Sequence, residues 1–376
     1  VSDAGGRKAR VLEITSYPPP RAGWGVRVEH VRRVLEARGH DCQVLNIGKS
    51  RMLEGQDFVT VKGAWDYTRK VAGFLRRGYR VHMHMNGQSP KGFALSFVAE
   101  ALSLLFGRRA VLTFHAGADQ IYFPRERSPR LVPLLKALFR MPRTVICNDD
   151  TVKARIAAYG VDPARIRAIP AFSRQYLAYE PVPLPGPQEA FMAAHKPLLA
   201  SYLLLRPTFH IPTLLEAIKD LTARWPDLGI VMMGSNTTSD DLDPAGVTRK
   251  VAELGLEGNV FWCGDLSHDA FLTTLSRADV SVRTYVYDGV CSSVLQALAL
   301  KVPVVACENP HRPEGVITFR TGDRADLAEK LAYAIEHNGA LREGLTVPEV
   351  RDTVAEEADL LAAACGVAPD GGGGRS

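Results

Sequence analysis

The stretch Ala278–Ala306, ADVSVRTYVYDGVCSSVLQALALKVPVVA, reads as strand, loop, helix and strand. Val280–Val282 is a short β-branched run, Ser292–Leu300 has helical spacing, and Val302–Ala306 is β-branched again. Two strands joined through a helix form a crossover unit of a parallel sheet. The loop carries Asp288 and Gly289, and the small residues Cys291, Ser292 and Ser293 open the helix. Free backbone N–H groups and the helix dipole at such an end favour an anion, and small side chains let a phosphate approach. A plain serine N-cap accounts for the same residues.

The alternation extends in both directions. Before this stretch lie strands at Leu198–Leu204, Ile230–Met233 and Val260–Trp262, with helices at Ile211–Arg224, Val247–Leu254 and His268–Ala278. After it come helices over Ala325–His337 and roughly Val347–Cys365. The first half repeats the pattern. Its strands are Val11–Thr15, Cys42–Ile47, Arg80–Met85, Ala110–His115, Thr144–Cys147 and Arg165–Ile169. Its helices are Val28–Arg38, Trp65–Arg77, Phe93–Phe106, Arg130–Phe139 and Thr151–Tyr159. The fold class is therefore α/β, with two Rossmann-like, doubly wound parallel sheets and ligands expected beyond the carboxyl ends of the strands, in a cleft between the domains. Tyr179–Pro187 holds four prolines and reads as extended chain. The expected boundaries are a first domain over 1–182, a Pro-rich linker over 183–197, a second domain over 198–345, a C-terminal helix over 346–369 crossing back to the first domain, and a disordered tail over 370–376.

Composition bounds the function. With 46% hydrophobic and 23% charged residues, the chain reads as an ordinary globular protein. No apolar run has the length of a membrane span, the first ten residues do not read as a signal peptide, and a cytoplasmic location is expected. The six cysteines form neither CxxC pairs nor zinc spacing. Residues 1–180 hold 30 of the 46 Lys and Arg but only 15 of the 41 Asp and Glu. That asymmetry points the first half toward an anionic partner, although a solvated basic surface reads the same way. The helix Phe93–Phe106, apolar nearly all round and followed by Arg108 and Arg109, reads as a buried cover for the sheet and leaves room for peripheral membrane contact. No basic–aromatic motif suggests nucleic acid.

Several segments, in order, resemble family 4 of the retaining glycosyltransferases, which have the GT-B fold. The shared frame is Ala278-Asp-Val, Tyr287, Gly289, Leu295, Ala297 and Pro303-Val-Val-Ala, with Asp288 and Gln296 at the family's two glutamate positions. The Gly39-His40 pair, His82-Met-His84, Thr113-Phe-His115, Ile166–Phe172 and Arg312-Pro-Glu-Gly-Val316 agree with it. The resemblance implies transfer of a sugar from a nucleoside-diphosphate sugar to an acceptor hydroxyl, with retention and without a metal cofactor. The first domain would take the acceptor, an anionic or lipid-linked saccharide among the candidates, and the second the donor. By the same resemblance, Asp288 contacts the sugar, Gln296 the ribose, and His115 lies near the reacting end of the donor. Gly25, in a glycine-rich loop, approaches phosphate. Gly234, Ser235, Gly264 and Leu266 line the base. Gly289, Val290, Cys291, Ser292 and Ser293 surround the diphosphate, and Glu314 belongs to the Pro-Glu segment.

One departure bears on activity. The family's cationic Gly-Arg and Lys are replaced here by Leu203, Leu204 and His210, which leaves Arg206 as the substitute clamp on the diphosphate. Without such a clamp the chain would be a nucleotide-binding relative that has lost turnover. An epimerase or a phosphorylase on the same fold is the other alternative. Asp241-Leu-Asp243 matches the metal-binding Asp-x-Asp pattern but sits in a Ser/Thr/Asp-rich loop, and Asn148-Asp149-Asp150 reads as a helix cap.

Overall fold

A computed structural model describes residues 7–18, 23–48, 50–53, 57–115, 117, 120–234, 243–287, 291–310 and 312–368. The chain divides into two compact units, one made of residues 1–175 and 351–376, the other of residues 176–350.

In unit 1 the strands are β1 (Arg10–Thr15), β2 (Asp41–Asn46), β3 (Arg80–Met85), β4 (Val111–Phe114), β5 (Thr144–Cys147) and β6 (Ile166–Ala168). The helices are α1 (Gly23–Ala37), α2 (Ala64–Arg76), α3 (Pro90–Leu105), α4 (Val132–Arg140) and α5 (Asp150–Ala157). All strand pairs are parallel, in the order β2-β1-β3-β4-β5-β6. The chain reverses direction across the sheet between β1 and β3, so the ligand crevice of this unit is expected beyond the carboxyl ends of those strands. Asp149 caps α5 by accepting from the Val152 N–H at 2.8 Å, as its sequence context predicts. Helix α3 buries Phe93 and Ala99 and leaves Phe97, Leu104 and Leu105 exposed. No helix among the described residues is long and apolar enough to cross a membrane.

Unit 2 contains α6 (Gly186–Ala194), β7 (Leu198–Tyr202), α7 (Ile211–Thr222), β8 (Gly229–Met233), α8 (Pro244–Glu253), β9 (Val260–Gly264), α9 (His268–Ser276), β10 (Val280–Arg283), α10 (Ser292–Ala299), β11 (Val304–Cys307), β12 (Val316–Phe319), α11 (Arg324–Glu336) and α12 (Asn338–Gly344). Its parallel order, β12-β11-β10-β7-β8-β9, is the doubly wound arrangement with a switch point between β7 and β10. Leu199, Ile230, Met232, Val280, Val282 and Val305 fill one face of this sheet. Ala200, Val231, Met233, Val304 and Ala306 fill the other.

The expected boundaries shift in two places. Residues 183–197 are not an extended linker, because α6 lies inside them and buries Gln188 and Met192. The preceding prolines run along α9, where the Val182 N–H donates to Thr273 Oγ1 and Gln188 donates to Thr274 Oγ1. Unit 1 accordingly ends at 175, not 182. The last helix is shorter than the periodicity suggests. It is α13 (Thr353–Ala364), capped by Asp352, which accepts from the Ala355 N–H, and it packs against α1 within unit 1.

Candidate functional site

In unit 2 the loops after β7 and β10 meet at the switch point. Leu203, at the position where a Gly-Arg pair would begin, is fully buried, and Leu204 packs against the same core. Neither leucine replaces a cation. Arg206 is exposed and precedes a single 3₁₀ turn, Pro207–Phe209. His210 ends that turn in the left-handed region, with φ 47°, and opens α7. Beside them, at the end of β10, lies a cation that sequence reasoning missed. Arg283 is 7% exposed, donates to the Tyr202 carbonyl at 2.9 Å, and has its guanidinium 5.1 Å from the Phe209 ring and 5.3 Å from that of Tyr285. Such stacking holds a planar cation in place.

Helix α10 begins at Ser292 with Cys291 at its N-cap, and no side chain caps it. Cys291 is buried with its Sγ 3.4 Å from Ser293 Oγ, while Ser292 is exposed. Among the described residues no side chain accepts from the leading N–H groups of this helix. Gln296 is buried and donates through Nε2 to the Tyr176 carbonyl at 3.0 Å. This explains why an amide stands where the family has glutamate: a carboxylate cannot donate to that carbonyl. One N–H of Gln296 is thereby occupied, and its second N–H and Oε1 are left for the ribose contact expected of it.

Gly234 ends β8 with φ 127°, and a Cβ there would lie 2.2 Å from the Leu203 carbonyl oxygen, so only glycine fits. Its N–H donates to Gly264, the last residue of β9, and Leu266 packs on the adjoining core. Glu314 is exposed in the turn before β12. Ser235, Asp241, Asp288, Gly289 and Val290 lie outside the described residues. Asp243 accepts from the Ala245 N–H as the cap of α8.

Unit 1 departs from expectation at Gly25. Gly23-Trp24-Gly25 is not a loop but the first turn of α1. A Cβ on Gly25 would lie 2.8 Å from the Ser16 carbonyl oxygen, so this glycine serves close helix–strand packing. The same turn brings the Trp24 ring to 4.7 Å from the ring of His115, which follows β4.

His115 is the outer member of a polar network. Strand alternation sends Leu12, Ile14, Val81, Met83 and Met85 into one apolar layer. Glu13, His82, His84 and Thr113 point to the other face, and each is at most 3% exposed. His84 Nε2 is 2.8 Å from Glu13 Oε2, and His84 Nδ1 is 2.8 Å from His115 Nε2. His82 Nδ1 is also 2.8 Å from Glu13 Oε2 but off the line of a hydrogen bond, and its Nε2 is 2.7 Å from Thr113 Oγ1. Next to them, Arg27 donates from Nε to Glu357 Oε2 at 2.6 Å, from Nη1 to Thr353 Oγ1 at 3.1 Å and the Ala171 carbonyl at 2.9 Å, and from Nη2 to the Thr353 carbonyl at 3.0 Å.

Burial opposes the Glu13 carboxylate, yet His82 and His84 hold its pKa down at about 2. Burial also opposes a cation on His82, but Glu13 raises its pKa above the usual value. Burial and the neighbouring His82 lower His84, while burial and His84 push His115 well down. The network thus holds the ion pair Arg27–Glu357, a Glu13–His82 contact that favours the protonated ring, and two imidazoles, His84 and His115, whose surroundings favour the neutral form. Glu13, His82 and His84 are also the residue types of a metal site. Ligands at about 2.0–2.1 Å from a tetrahedral ion lie about 3.3 Å from one another. The 2.8 Å separations from Glu13 Oε2 are those of shared protons and a close ion pair.

Two family models match this sequence: Glycosyltransferase Family 4 over residues 22–172 and Glycosyl transferases group 1 over residues 189–345. No curated protein sequence matches it. Among solved structures, it is similar to a glycosyltransferase from Rickettsia africae, with 15% identity, a TM-score of 0.65 and 94% of this chain and 98% of that chain covered. It is also similar to Anabaena HepE in complex with UDP, at 14% identity, TM-score 0.63 and coverage of 94% and 95%. A sucrose-phosphate synthase from Thermosynechococcus elongatus gives 17% identity, TM-score 0.63 and 94% of both chains. The two models fall one on each half of the chain, and the two parallel sheets have the GT-B architecture, so the chain belongs to the GT-B glycosyltransferases.

Proposed function

We propose that this protein moves a glycosyl group from a nucleoside-diphosphate sugar, UDP being the first nucleotide to test, to an acceptor hydroxyl, with retention and without a bound metal. The observation that carries the proposal is the convergence at the switch point of unit 2. The uncapped start of α10 and the cations Arg206 and Arg283 stand at the ends of two adjacent strands. N–H groups and guanidinium groups together suit a diphosphate, whose developing charge they stabilise as it leaves. UDP enters as first choice because HepE binds it. In this reading Asp288 and the Gln296 oxygen hold donor hydroxyls, and Gly234, Ser235, Gly264 and Leu266 flank the base. His115 contacts a sugar hydroxyl.

The leaving phosphate takes the acceptor proton on the face it departs from, so no protein nucleophile is required. The protein then works by positioning and charge stabilisation. The basic excess of residues 1–180 favours an anionic or lipid-linked saccharide as acceptor, met by a cytoplasmic protein at a membrane surface.

Thermal unfolding against a panel of nucleoside diphosphates, with and without magnesium, tests the donor reading. A ligand at 100 times its Kd adds about 2.7 kcal/mol, which raises Tm by a few degrees. The expected result is a rise with UDP that does not depend on magnesium. Arg206→Ala should then lower kcat about 10²–10³-fold. No rise with any nucleoside diphosphate, or normal turnover by Arg206→Ala, would sink the proposal.

A further inference from the structure

We propose that Glu13 and His84 are positioning residues that act through His115, locking its ring as the Nε2–H tautomer so that Nδ1 accepts a hydrogen bond from a sugar hydroxyl. The inference rests on the glycosyltransferase reading of His115 and adds two residues on β1 and β3 to it.

Proton bookkeeping leads there in three steps. Glu13 is ionised and so can only accept, which requires His84 Nε2, 2.8 Å away, to carry a hydrogen. His84 is neutral, so its Nδ1 is then a lone pair and can only accept. His115 Nε2, 2.8 Å from that lone pair, must therefore be the donor. His115 is neutral as well, which leaves its Nδ1 as the basic atom of the ring. No described residue bonds to that Nδ1. The ring is held from one further side, by Trp24 at 4.7 Å, and lies within 12° of the plane of His84, as an in-line bond between the two rings requires. An orienting carboxylate that fixes a histidine tautomer at a distance is an established device of hydroxyl chemistry. Here it operates through a second imidazole.

The neighbouring basic groups bear on the same atoms. His82 stands 2.8 Å from Glu13, which favours its protonated form, and Arg27 pairs with Glu357, so His84 and His115 need no charge of their own. A direct Glu13–His115 contact would place a full anion beside the substrate. The intervening His84 transmits orientation and withholds the charge.

Nitrogen-15 spectroscopy of the full chain labelled at histidine tests the lock without any variant. At pH 7.5 the expected signals are Nε2–H tautomers for both His84 and His115. His115 present as its Nδ1–H tautomer or as an imidazolium overturns the proposal. In Glu13→Gln the expected spectrum is a tautomer mixture at His115, with kcat down about 10–100-fold and donor KM nearly unchanged. Glu13→Asp should recover part of the rate. A folded Glu13→Gln protein with an unchanged His115 signal and normal kcat overturns the proposal, and so does normal turnover by His115→Ala. Should Glu13→Gln fail to fold, the wild-type spectrum alone decides the lock. A protein with the expected spectrum that consumes no sugar nucleotide would overturn the reading of the reaction and leave the tautomer assignment standing.

Discussion

The two sheets share one architecture and bury opposite chemistries. In unit 2 both faces of the sheet are lined by apolar residues, and among the described residues Arg283 is its one buried charged side chain. Unit 1 buries Glu13, Arg27, His82, His84, Glu100 and Glu357. Unit 2 places its one buried charge, Arg283, at the end of a strand. Unit 1 carries a charged network through the layer between its sheet and the helices α1 and α13. Removing charges from water costs several kcal/mol per ion, and that cost is recovered only when each has its partners. The fold of unit 1 should therefore depend on single side chains and on pH to a degree that unit 2 does not.

The largest effect is expected at Glu357. Glu357→Ala leaves Arg27 buried without its carboxylate, and breaking such a pair typically costs about 3–5 kcal/mol. It also weakens the hold of α1 on α13, to which Arg27–Glu357 contributes beside the Arg27–Thr353 and Arg38–Asp359 contacts. Urea unfolding followed by hydrogen exchange should show early opening in residues 7–175 and 351–368, with residues 176–350 unchanged. Equal loss in both units would break the comparison.

Acid should have a similar but smaller effect. Glu13 falls from an ordinary carboxyl value of 4.5 to about 2 in the fold, which corresponds to about 3 kcal/mol. A lowered carboxyl contributes this stability above pH 4.5 and loses it as pH falls toward 2. His84 and His115 act in the same direction at higher pH. Their folded pKa values are depressed, so the unfolded chain takes up protons first, and stability declines as pH drops below about 6.5. His82 has the opposite sign: its raised pKa gives stability below 6.5 that is lost as pH rises through the folded value. Unit 1 should thus weaken at both edges of the range, acid more than alkaline. Unfolding curves for the two units that coincide from pH 4 to pH 8 would refute this.

The contrast was only partly legible in the sequence. Both sheets follow from the alternation of β-branched runs and helical spacing, which local residues dictate. Helix α6 was hidden by the prolines around it, because Pro187 is acceptable in a first helical turn although it reads as a linker residue. The network was hidden differently. Glu13 sits inside VLEIT, and His82 and His84 alternate in RVHMHM; both patterns read as strands with one solvated face. Only the packing of α13, which begins 340 residues after Glu13 and about 270 after the two histidines, completes that face as an interior. A lone glutamate in an apolar strand, set against alternating histidines, was the available signal. Arg283 had none, since a charged residue at a strand end is ordinary until its aromatic surroundings are known.

Arg283 sharpens the comparison from the other side. If the buried cation of unit 2 serves the ligand, then Arg283→Met should cost little in stability and much in binding. Hydrogen bonds to charged groups contribute about 1.5–3 kcal/mol, so the Kd for UDP should rise about 10–100-fold. Calorimetry with UDP, alongside a melting curve, separates the two. A large drop in Tm with unchanged UDP affinity would make Arg283 a structural brace between β7 and β10.

Near pH 4.5 the smallest effect is expected at Glu100, where unit 1 buries a carboxyl with no hydrogen-bond partner among the described residues on either oxygen. Burial alone pushes its pKa well above the usual value, so it stays protonated near neutral pH. Glu100→Met keeps the shape and removes the unsatisfied group, a gain of about 1 kcal/mol near pH 4.5, below which the carboxyl's titration adds nothing. The gain should depend on pH in a definite sense. A carboxyl raised in the fold holds a proton that the unfolded chain has released, so above 4.5 the wild type loses stability as pH rises, whereas Met does not titrate. The difference in Tm between variant and wild type should therefore widen from pH 5 to pH 8. A constant difference would mean that Glu100 is not held protonated, and that unit 1 tolerates a buried anion at this site without a partner.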